Sequence, residues 1–381
     1  NPKAANLKGS AGSTPLMYAV LYGDSDSVQL LLKSGADPNI RNDAGATALM
    51  WAAYDPQKTS LLLEGGADSN ARSDDGRTPV AIGASRFGNS AVVKLLLERG
   101  ANPSAKSPSI FGDMTPLSEA AHAGDEAILR LLIARGADVK GAGFLPLVFA
   151  TLSRSSCARC VDMLIQSASR DVLNMTMLFG APPLGDTSTA KALLARGADV
   201  NAKDRAGRTI LMLAASSDTL PVDTIKTLID GGAEVNAKSA NGQTALDFAK
   251  LRGKTPVVEL LIKAGARESA STDAAVEPKP ASSARAALER SIPLLQRTDV
   301  AFIRKSGCVS CHNNTLTAMT VAMARKNGLA VDDQTAQKQL KDIASYIDSW
   351  RERVLQGVGI PGDSDTISYI LIGMAAENYP P

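Results

Sequence analysis

Apolar residues in the first two-thirds of the chain fall into short leucine-rich runs, such as Val93-Lys94-Leu95-Leu96-Leu97, each followed by Gly-Ala. The glycines are Gly35, Gly66, Gly100, Gly136, Gly197, Gly232 and Gly265, spaced by 31, 34, 36, 61, 35 and 33 residues. The interval of 61 is two periods with one degenerate member between them, so the chain repeats about every 33 residues. Each unit opens on a T-x-L-type start: Thr14-Pro15-Leu16, Thr47-Ala48-Leu49, Thr78-Pro79-Val80, Thr115-Pro116-Leu117, Leu145-Pro146-Leu147, Thr176-Met177-Leu178, Thr209-Ile210-Leu211 and Thr244-Ala245-Leu246. The pattern predicts eight units, each a short helix, a second helix ending at the glycine, and a hairpin such as 198–204. Glycine allows the left-handed turn at a helix C-terminus, and proline is tolerated in a first helical turn.

The period stops at about residue 268. Residues 269–284 hold Pro, Ser, Ala and charge without apolar periodicity, which predicts a linker. Beyond it, helices are expected over 284–305 with Pro293 inside, over 313–327 closed by Gly328, over 332–356 closed by Gly357, and over 364–377 ended by Pro380. In the third, Leu340, Ile343, Ile347, Trp350 and Val354 step by 3 and 4, giving one buried stripe.

The repeated residues resemble the ankyrin repeat over roughly 10–268. The resemblance implies an all-α fold: an ankyrin-repeat solenoid over 1–268 with β-hairpin loops, the linker at 269–284, and a helical domain over 285–381. The His of the usual T-P-L-H motif is missing, its place taken by Met17, Met50, Ala81, Ser118, Val148 and Met212. Apolar stacking supplies most of a solenoid's stability, so the array is expected to fold without it. The array is expected to dock a protein partner on its concave face. Arg41, Arg72, Lys106, Lys203 and Lys238 fall at equivalent hairpin positions, where repetition would align them into a basic column that steers an acidic partner. The competing reading pairs them with neighbours such as Asp43, Asp74 and Asp204.

Cys308-Val309-Ser310-Cys311-His312 has the C-x-x-C-H spacing at which a chain captures a haem covalently. It resembles the attachment element of c-type cytochromes. That likeness implies one haem c, with Cys308 and Cys311 as the thioether residues and His312 as the proximal iron ligand. Met374 is the candidate distal ligand, set against its place in a packing stripe of Ile367, Ile370 and Leu371 and against an open, solvent-ligated or externally supplied position. Met319 and Met323 share a helical face with His312 and cannot easily reach the far side of a porphyrin. His122 lies in a repeat. Cys157 and Cys160 are expected as a turn residue and a buried helix-packing residue, with a local disulfide as the alternative.

Composition narrows the function classes. With 44% hydrophobic and 21% charged residues in 381, the chain has ample core. A net charge of +2 gives no reason to expect nucleic acid. No run of eighteen apolar residues is present, and no phosphate loop, G-x-S-x-G elbow or H-E-x-x-H pair. A start at Asn1 together with covalent haem implies removal of an export signal and a periplasmic or extracellular bacterial location. The expectation is an electron-transfer protein or redox-complex subunit, its partner a redox or membrane complex, and a carrier rather than a catalyst. The alternatives are an ankyrin scaffold without haem and a haem sensor or small haem enzyme.

Overall fold

The computed structural model describes residues 2–109, 112–153, 157–180, 182–269, 281–306, 313–355 and 363–379. The chain divides into two compact units, Asn1–Ala274 and Ala275–Pro381.

In the first unit eight helix pairs follow one another among the described residues, from Pro15–Tyr22 with Ser25–Lys33 to Ala245–Lys250 with Pro256–Lys263. All seven repeat glycines have φ between 81° and 89°, the left-handed conformation that the Gly-Ala signal predicted. Where the usual histidine is replaced, Met17, Met50, Ala81, Ser118, Val148 and Met212 are buried. The starting threonines cap: Thr14, Thr78, Thr115 and Thr209 accept the N–H three residues on. A single buried apolar cluster runs from Ala5 to Leu261.

Two expectations need correction. Thr176 does not start a unit. It lies inside the helix Arg170–Phe179, capped by Ser169, and its hydroxyl donates to the Val172 carbonyl at 2.8 Å. A threonine satisfied by the carbonyl four residues back is at home within a helix, so its position in a T-x-L triplet carried no boundary information. The hairpins, too, are mostly tight turns. Among the described residues one ladder forms, Ser107–Ser109 with Gly112–Met114, and one isolated bridge joins Lys203 to Thr209. Elsewhere the tips close through paired turn bonds, as from Asn42 N–H to Ala46 O with Gly45 N–H to Asn42 O, and from Ser73 N–H to Arg77 O with Gly76 N–H to Ser73 O. Glycines such as Gly45 and Gly76, with φ of 68° and 76°, reverse the chain too tightly for a longer ladder.

The second unit holds helices Ala284–Ser306, Asn313–Lys326, Asp333–Leu355 and Asp363–Ala376. Pro293 lies within the first without ending it. Asn313–Lys326 packs on Asp363–Ala376, where a Cβ at Gly373 would lie 3.1 Å from Thr315 Cα, so the small residue permits close approach. Arg325 ties three helices by bonding Asp333 and the nearly buried Glu377. Among the described residues two small buried clusters form here, Ile292 with Ala324 and Leu329 and Ile343 with Ile370, and Ala318, Val321, Ala336 and Leu340 are buried as well.

Candidate functional sites

The repeat tips are joined by a device the sequence reading missed. Asn39 donates from Nδ2 to Gly66 O at 2.9 Å and accepts the Asp68 N–H at 2.8 Å. Asn70 does the same with Gly100 O and Asn102 N–H, as do Asn201 and Asn236 one repeat ahead. Asn6 repeats the pattern on Gly35 O and Asp37 N–H, so the short helix Pro2–Ala5 and its loop act as a partial unit capping the array. The signal was present as an asparagine four residues after the conserved-spacing glycine.

The five basic tip residues are all exposed, and four reach toward another tip group. Arg41 pairs with Asp74 at 2.8 Å, Arg72 donates to Lys106 O, Lys106 lies 3.8 Å from Asp113, and Lys203 donates to Lys238 O at 3.3 Å. The charges are therefore spent partly on linking tips, with exposed ionic bonds of small worth.

On or just after the first helices several ring contacts form, some between neighbouring repeats. Tyr18 lies 6.5 Å from Tyr22 and 6.4 Å from Trp51, Arg86 sits 5.1 Å over the Tyr54 ring, and His122 is 5.2 Å from Phe149. Burial pushes the Tyr54 phenol up, against the opposing effect of Arg77. Tyr18, Trp51, Phe149 and Phe248 each fall four residues after a unit start, a period visible in the sequence. Aromatics and arginine are the residue types that dominate binding energy at protein interfaces.

Cys308, Cys311 and His312 lie outside the described residues, as do Gly357 and Pro380. What can be placed is the helix that the motif leads into. Asn314 is fully buried and donates to Asp299 Oδ1 at 2.6 Å, fastening the start of that helix to Ala284–Ser306. Asp299 is 3% exposed, its second carboxylate oxygen has no hydrogen-bond partner among the described residues, and burial raises its carboxyl to about 7 against the lowering bond from Asn314. Thr315 Oγ1 and Gln339 Nε2 are likewise buried without partners among the described residues. The opposite face of the same helix presents Leu316, Met319 and Met323 to solvent at 57%, 43% and 59% exposure. Met374 packs against the Ile343 and Ile370 pair, the contact its stripe position calls for.

Cys157 and Cys160 are joined as a disulfide at the start of helix Ala158–Ile165. Cys160 is fully buried, at the packing position expected of it. Among the described residues no group of three His, Cys, Asp or Glu side chains is placed to hold a metal ion, and no helix is long and apolar enough to cross a membrane.

Stacked helix pairs with linked tips define a repeat scaffold of the protein-binding class. The chain matches the ankyrin-repeat family with three-copy assignments at 16–107 and 178–272 and a single repeat at 112–141. It belongs to the ankyrin-repeat proteins. Such repeats bind protein partners, and the fifth helix pair, which carries the disulfide, lies between the matched stretches.

Proposed function

We propose that the protein is an exported electron-transfer subunit whose ankyrin array docks a protein partner and whose second unit carries one covalent haem c. The observation that carries this reading is the C-x-x-C-H spacing placed directly before a helix with an uncovered apolar face. The residues present fit such a group. Cys308 and Cys311 would supply the two thioethers and His312 an imidazole for the iron, while Leu316, Met319 and Met323 offer exposed apolar surface that an apolar group could take out of water. Bound there, the group would supply one-electron iron chemistry. The chain's own part is positioning. The Asp299–Asn314 bond fixes the helix two residues after His312, and thus the anchor from which the imidazole is presented.

Covalent haem attachment implies export, in keeping with a periplasmic or extracellular site. Transfer from a single centre needs a second centre close by, so the partner is a redox or membrane complex.

Intact mass spectrometry of the chain produced with a c-type maturation system tests the proposal. A haem mass that survives denaturation, lost in Cys308→Ala/Cys311→Ala while the array's helical signal is unchanged, is the expected result. Unmodified wild-type mass, or denaturation-resistant haem on the double variant, would overturn it and leave the ankyrin scaffold.

A further inference from the structure

We propose that Cys157 and Cys160 form a redox-active site that exchanges its disulfide with dithiol substrates, Cys157 carrying the mixed disulfide and Cys160 leaving as the buried thiol. The inference does not depend on the haem reading.

The two sulfurs are unequal. Cys160 is fully buried in the packed face of its helix, whereas Cys157 is partly exposed at the helix N-terminus, so an incoming thiolate reaches Cys157 first. Cys157 also occupies a place where the array repeatedly puts an anion. Asp24, Asp55, Asp125 and Asp186 cap the second helices of their units, each carboxylate accepting one or two backbone N–H groups at 2.8–3.1 Å. In the fifth unit Cys157 Sγ accepts the Cys160 N–H at 3.2 Å instead. Opened, Cys157 would be a thiolate in an aspartate's position, stabilised by the same N–H and by the positive end of the helix. Arg159, between the two cysteines in sequence, is exposed, with its guanidinium 3.6 Å from Glu126. A site that stabilises its own thiolate favours the reduced form, which is what separates an exchangeable disulfide from an inert one.

The exchange balances as follows. A dithiol's thiolate bonds to Cys157 Sγ, the Cys157–Cys160 bond breaks, and its electron pair leaves on Cys160 Sγ, which takes a proton. The dithiol's second thiolate then attacks its own sulfur in the mixed disulfide and releases Cys157 as thiolate. The dithiol is oxidised to a disulfide and the protein gains two electrons.

The test uses the full chain, dithiothreitol and oxidised glutathione as probes, and peptide mapping to separate this pair from Cys308 and Cys311. Without denaturant, dithiothreitol should open the wild-type disulfide, after which iodoacetamide should alkylate Cys157 at least about tenfold faster than Cys160. Cys160→Ser should take up one glutathione on Cys157, and folded Cys157→Ser should take up none on Cys160. Two results would overturn the proposal: a wild-type disulfide that resists dithiothreitol until the chain is unfolded, or equal glutathione uptake by the two variants. The wild-type arm decides the matter even if a variant fails to fold.

Discussion

The two units solve the burial problem differently. The array buries one continuous apolar cluster, and its polar tips satisfy each other from repeat to repeat through Asn39, Asn70, Asn201 and Asn236. Among its described residues the second unit holds two small buried clusters, with Ala318, Val321, Ala336 and Leu340 also buried, leaves Leu294, Leu316, Met323, Leu371 and Ile372 at least half exposed, and places one carboxylate oxygen of Asp299 in its interior without a described partner. A repeat needs only its neighbours, because each interface is a copy of the last. Among the described residues of the second unit the buried apolar clusters are instead separate.

Core truncation should separate the units most sharply. Leu129→Ala removes a fully buried side chain from the fourth repeat and should lower the array's stability by about 3 kcal/mol. Denaturant unfolding followed by array-specific hydrogen exchange checks this, with the second unit's exchange unchanged. Equal loss of protection in both units would show that they unfold as one.

Asp299→Asn keeps the acceptor for Asn314 and removes the buried charge. With a folded value near 7 against about 4 unfolded, the carboxyl's favourable contribution is complete below about pH 4. It is lost as pH rises through about 7. The variant should therefore stabilise the second unit by about 2 kcal/mol at pH 8 and by nothing measurable at pH 4, read from melts across that range.

Met374→Ala should cost the second unit about 1–2 kcal/mol, since the side chain is half-buried against Ile343 and Ile370. The absorption spectrum of haem-loaded protein should not change, and loss of a sulfur-to-iron band would instead make Met374 the distal ligand. Asn70→Ala removes both bonds to the next repeat and should cost the array about 1 kcal/mol, measured as a shift in denaturant midpoint without a change in slope.

Reversing Arg41, Arg72 and Lys106 together to Glu should have the smallest effect on stability, under about 0.5 kcal/mol, because their pairs are exposed. If the tips steer an acidic partner, association at low salt slows and loses salt dependence. Unchanged kinetics would assign the column to tip linking alone.

Much of the fold was legible because its signals are local. The Gly-Ala period set the left-handed turns, and the expected helices at 284–305, 313–327, 332–356 and 364–377 lie within a residue of Ala284–Ser306, Asn313–Lys326, Asp333–Leu355 and Asp363–Ala376. Capping residues, glycine and apolar spacing act within a turn or two of where they sit, so sequence alone determined them. The C-x-x-C-H spacing was legible for the same reason. Tertiary structure decided what depends on neighbours far along the chain. It placed Thr176 inside a helix, turned repeated asparagines into links about thirty residues long, brought rings of successive repeats together and sealed Asp299 beside Asn314. A side chain's partner one repeat or one helix away leaves no mark on its local pattern, because burial and charge are properties of what surrounds a residue in space.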